Sequence, residues 1–148
     1  MKITVNHFSA KKQEPALIKK TAKAALKELG KDGLDSELVI NVVPSRTMKK
    51  VNYRFRGRNQ TTDVLSFAYQ KDKKLPLKVW GELFIDRLQV LKNSQLENSG
   101  YQQELKTVII HGILHLSGYH HEQVPPKTRN KMFRKQKQIF LKLRKRYD

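Results

Sequence analysis

The stretch from Tyr101 to Leu116 constrains the fold more than any other part of the chain. Leu105, Val108, Ile109, Ile110, Ile113, Leu114 and Leu116 fall on nearly every side of a 3.6-residue helical repeat. A helix that is apolar almost all round has to be enclosed by the rest of the chain, so this segment is expected to be the buried central helix. Ser99-Gly100 breaks the chain before it, and Gly118 suits a left-handed position after it. The same helix carries two histidines, His111 and His115, that burial alone does not explain.

The flanking sequence supplies elements to enclose it. Residues 2–5 alternate as a strand, and Pro15 opens a helix with Leu17, Ile18, Thr21, Ala22, Ala25 and Leu29 on one side, stopped by Gly30 and Gly33. Leu38 to Val43 is a β-branched run suited to a buried strand. Pro44-Ser45 then offers a turn and an N-cap for a helix carrying Met48, Val51, Asn52 and Phe55, with Gly57 as terminator. Asp63 to Phe67 and Trp80 to Ile85 read as two further strands, joined by a lysine-rich loop around Asp72 and Pro76 that is expected to be mobile. Asp86 can cap a helix through Val90 and Leu91. After Pro125-Pro126, a last helix places Met132, Phe133, Ile139, Phe140 and Leu143 on one face. With 148 residues and no domain-sized linker, the expectation is one α+β domain over residues 1–148. It would hold a small mixed four-stranded sheet and about five helices, most of them on one side of the sheet.

Four of the five histidines lie between positions 111 and 121. His111 and His115 are four apart, so their rings project from neighbouring turns of one helix face and can share a metal. The break at Ser117-Gly118 turns the chain back so that a third histidine can join them. His121 can approach the pair from the side, and the adjacent His120 remains an alternative. Gly112 is expected to remove bulk beside the site. Three imidazoles with one open position form the pattern of a catalytic zinc site, whereas a closed structural site needs a fourth protein ligand. The plainer alternative, two helix histidines with ordinary hydrogen bonds, leaves the third histidine and the glycine break unexplained.

Composition narrows the chemistry. There is no cysteine, which excludes disulfides, thiolate zinc fingers and thiol redox chemistry. Neither a signal peptide nor a membrane span is apparent, so a cytoplasmic location without membrane contact is expected. The formal charge is +18, from 31 Lys plus Arg against 13 Asp plus Glu, and basic residues thicken from Lys127 to Arg146. Such a balance points to a polyanionic partner.

The run His111-Gly-Ile-Leu-His-Leu-Ser-Gly-Tyr-His-His121 resembles the signature of the YbeY family of single-strand-specific metalloendoribonucleases. Asn52-Tyr-Arg-Phe-Arg56-Gly followed by Thr62-Asp-Val-Leu-Ser-Phe67 resembles that family's second block, and Trp80-Gly-Glu-Leu its third. The resemblance runs from about residue 38 to residue 121. It implies a zinc-dependent endoribonuclease of 16S rRNA 3′-end maturation and ribosome quality control, acting on single-stranded RNA such as rRNA precursor and working with ribosomal particles. It also implies His111, His115 and His121 as ligands of one Zn2+ per chain, and Arg56 with His115 as catalytic residues. Position 120 is His where the family commonly has Asp, and position 82 is Glu where Asp is usual.

The chemistry of the residues agrees with that direction. Zinc peptidases carrying histidines at this spacing place a glutamate directly after the first, whereas here Gly112 stands there and the peptidase base is missing. Phosphoryl transfer needs charge neutralisation, which the forked guanidinium of Arg56 can provide. A general base is not evident; Glu82, Asp63 and His120 are the candidates, with Asp63 and Thr62 equally suited to capping a turn. Two other readings stay open: a non-catalytic, basic rRNA- or ribosome-associated factor with a structural zinc, and a metal-dependent hydrolase of another substrate.

Overall fold

A computed structural model describes residues 1–8, 13–69 and 78–147, the side chains of 145–147 excepted. The loop around Asp72 and Pro76 lies outside them. Among the described residues, four strands and five helices follow one another as β1 (Lys2–His7), α1 (Glu14–Glu28), β2 (Glu37–Val43), α2 (Ser45–Arg56), β3 (Val64–Ala68), β4 (Val79–Asp86), α3 (Arg87–Leu96), α4 (Tyr101–Leu116) and α5 (Pro126–Tyr147). The sheet order is β1-β2-β4-β3; β1, β2 and β4 are parallel, and β3 pairs antiparallel with β4. The expected α+β domain with a mixed four-stranded sheet and five helices is the fold observed.

Alternation along the strands separates two chemically different sheet faces. One carries Ile3, Leu38, Ile40, Val42, Leu83 and Ile85, all buried in the core with Ile18, Leu26, Leu105, Ile109 and Ile113 of α1 and α4. The other carries a row of polar side chains: Asn6 donates to Asn41 at 2.9 Å, Asn41 donates to Glu82 at 2.8 Å, and Tyr69 donates to Glu82 at 2.9 Å. Aromatic rings continue this face, with Phe67 edge-on to both Phe84 and Phe55.

α4 is central, packed against α1, α3, α5 and β3. Two glycines let it settle on the sheet. A Cβ at Gly112 would come within 2.8 Å of the Leu83 side chain, and one at Gly81 within 2.8 Å of the Leu116 side chain. Gly112 therefore serves close packing of helix on strand rather than clearing space beside the histidines. Asp86 caps α3 as expected, accepting from the backbone N–H groups of Leu88 and Gln89. Ser45 does not cap α2: Pro44 occupies the N-cap position and Ser45 is already helical. Gly57 and Gly118 take the left-handed conformation, with φ of 69° and 96°.

Candidate metal centre

The last two turns of α4 and the chain that leaves it at Gly118 bring His111, His115 and His121 together. Each offers one ring nitrogen, and the three atoms lie within 4.8 Å of one another. Ring centroids of His111 and His115 are 4.7 Å apart, and His121 is 4.8 and 4.9 Å from them. His120 is exposed, with its ring 6.3 Å from His115, and stands outside this group.

The hydrogen bonds orient the donors. His111 Nδ1 donates to Gln136 Oε1 at 2.7 Å, which leaves the lone pair on Nε2. That Nε2 faces His115 Nε2 at 3.1 Å. A hydrogen bond with the Tyr119 backbone engages the His115 ring and favours its charged form, as donation from a ring N–H to a carbonyl does. Two lone pairs then converge, an arrangement that a shared cation relieves. Burial, the largest effect, pushes His115 down to about 4, with the positive fields of His111, His121 and His120 adding to it. Burial also lowers His111. Both rings are thus neutral at physiological pH, the state that binds metal. The donor set fits one metal ion of the kind that prefers nitrogen.

The histidines open into a cleft of about 700 Å3 whose other wall is the end of α2, the segment after it and the outer strand β3, through Asn52, Arg56, Arg58, Asp63 and Ser66. Arg56 thus shares a cleft with the three histidines. Its Nη2 donates to the Ser66 backbone carbonyl at 3.0 Å, and its guanidinium carbon lies 5.6 Å from the centroid of the Phe67 ring. Of the candidate bases, Glu82 is misplaced: it belongs to the polar sheet face, bound to Asn41 and Tyr69, and does not line the cleft. Asp63 lines the cleft, but its oxygens accept from Val64 N at 2.8 Å and Asn93 Nδ2 at 3.4 Å, which suits the turn-capping role. Ser66 and Ser117 hydrogen-bond to backbone carbonyls of α4.

The profile of the family described as Endoribonuclease YbeY matches residues 3–144. The chain belongs to the YbeY family. An Endoribonuclease YbeY from Thermotoga maritima is 38% identical over 111 residues, covering 75% of this chain and 67% of the relative. One from Persephonella marina is 33% identical over 128 residues, covering 86% and 82%. A solution structure of a Thermotoga maritima protein superposes with a TM-score of 0.61 at 31% identity, over 93% of this chain and 86% of the other.

Two residues beside this YbeY-type histidine cluster were not legible as site residues. Gln136 holds His111, and Phe133 stands 5.7 Å from His121, ring to ring, although its helical period suggested the buried face. A polar residue one turn beyond Met132, on the border of the apolar stripe, was the only sign of the first.

Proposed function

We propose that the chain is a zinc-dependent endoribonuclease specific for single-stranded RNA, using one Zn2+ held by His111, His115 and His121. Its substrate in this reading is ribosomal RNA precursor, at the 3′ end of 16S rRNA and in ribosome quality control, with ribosomal particles as partners in the cytoplasm. The observation that carries the reading is the shared cleft, which has three converging imidazoles on one wall and Arg56 on the other. Among the described residues no helix is long and apolar enough to cross a membrane, and the charge of +18 suits a polyanion.

When bound, the ion supplies Lewis acidity, drawing charge from a phosphoryl oxygen and making water more acidic. The chain's own residues do the rest. Gln136 fixes the tautomer of His111, and burial keeps His115 free of the proton that would compete for its lone pair. Arg56, braced on the Ser66 carbonyl, has further N–H groups to hold a phosphate as charge develops. A cleft this size has the dimensions of a small-molecule pocket, room for a bared nucleotide and far short of a duplex. Because Gly112 follows His111, the base that peptide hydrolysis requires is lacking. A structural zinc would need a fourth ligand, and exposed His120 lies outside the cluster.

The test is single-turnover cleavage by metal-analysed protein, comparing single-stranded rRNA precursor with the same sequence as a duplex. The wild type is expected to cut only the single strand, His115→Ala to cut neither, and Arg56→Ala to bind but turn over about 10²–10³-fold more slowly. Undiminished cutting by His115→Ala overturns the metal reading, and wild-type turnover in Arg56→Ala makes that arginine a docking residue.

A further inference from the structure

Phe133 is left unexplained by the metal centre. On α5, Met132, Ile139 and Leu143 are buried, yet Phe133 is 43% exposed. Its ring stands 5.7 Å from that of His121 and 6.4 Å from that of His111. The ring thus stays partly in water beside the histidines instead of joining Met132 in the core. With it, Lys127, Asn130, Arg134 and Lys137 line a shallow open trough. They recur every three or four residues and so share one helix face. No described acidic side chain pairs with these three cations. Unpaired cations flanking an exposed aromatic ring have the composition of a platform for single-stranded nucleic acid, where charge tracks phosphates and the ring stacks on a base of any identity.

We propose that this strip of α5 seats the nucleotide adjoining the scissile phosphate, its base stacked on Phe133 and its flanking phosphates carried by Lys127, Arg134 and Lys137. The inference rests on the RNA-cleaving reading and adds a subsite to it. Asn130 lines the same trough and brings an amide that can donate to or accept from a base edge. Phe133 joins the trough to the histidines, and Arg56 is not among the residues that line it, so on this proposal the substrate strand runs past the metal centre rather than ending there.

The test uses metal-loaded protein and a series of short fluorescein-labelled single-stranded RNAs, each with one abasic position, with binding read by anisotropy before cleavage accumulates. With wild-type protein, one position beside the cut is expected to lose about 5- to 150-fold in affinity when its base is removed. Phe133→Leu, which keeps an apolar side chain beside the histidines, should lose a similar factor on intact RNA and show no abasic penalty at that position. Phe133→Trp should retain both. Replacing Lys127, Arg134 and Lys137 with Ala together should reduce the slope of log affinity against log salt by about 2. Wild-type affinity in Phe133→Leu, or an abasic penalty that persists in it, overturns the proposal. Loss of zinc from Phe133→Leu with that penalty intact overturns it too, because the ring is then only a wall of the metal centre. If the wild type cuts RNA but no abasic position depends on Phe133, this proposal alone falls; if it cuts no RNA, the reading beneath it falls.

Discussion

The two ends of α4 each gather buried polar groups and each include a histidine, yet they do opposite things. At the first turn, Glu14 is buried and fully engaged: the Tyr101 hydroxyl and His7 Nε2 both meet it in short hydrogen bonds, and Arg87 Nε donates to it at 3.2 Å. Arg87 also lies over the Tyr101 ring, 5.0 Å from its centroid. Burial opposes ionisation of Glu14, but Tyr101, His7 and Arg87 together hold its carboxyl below the ordinary range. Toward the other end, His111 and His115 turn ring nitrogens toward one another and, with His121, line a cleft. Polar groups that satisfy each other tie β1, α1, α3 and α4 into one body; groups whose lone pairs converge are suited to receive something else.

The sharpest way to break this contrast is to remove a histidine from each end. His121→Ala is expected to abolish stoichiometric zinc, whereas His7→Ala should retain about one zinc per chain by elemental analysis. Stability should respond the other way round. Glu14→Ala leaves Arg87, His7 and Tyr101 without their shared carboxylate and should cost about 3–5 kcal/mol in urea unfolding, with zinc content in the folded protein unchanged. Equal effects of both substitutions on zinc would mean the two ends are not functionally distinct.

The metal end was far more legible than the structural one. His111 and His115 declare themselves because the helical repeat itself aligns residues four apart, and the glycine break points to a third histidine, although only the fold brings His121 and not His120 to them. The Glu14 cluster gathers partners 7, 73 and 87 residues away, which no local pattern encodes. Faces were harder than elements. Trp80 to Ile85 was readable as a strand, but only pairing shows that Glu82 sits on the polar side, away from the cleft. Periodicity likewise placed Phe133 in the core, whereas the turn of α5 leaves it beside His121.

Smaller effects sharpen the account. Gly112→Ala drives a methyl into Leu83 and should destabilise by about 1–3 kcal/mol, whereas a role in clearing the metal site would instead weaken zinc binding without loss of stability. Acid should act at the histidine end. His115 protonates near 6.5 when unfolded but only near 4 when folded, so the unfolded chain takes up its proton first as pH falls. Its contribution to the stability of metal-free protein is present above about pH 6.5 and is lost as pH falls toward 4. Urea midpoints of metal-free wild type and His115→Ala across that range check this, the variant showing the shallower decline.

The central claim, that three histidines hold a metal at an open site and not a closed one, is tested most directly by X-ray absorption at the zinc edge of the loaded protein and of His120→Ala. Three imidazoles in the zinc shell and the same spectrum from both proteins are expected. A fourth imidazole in the wild type that disappears in His120→Ala would make the site a closed structural one and contradict it.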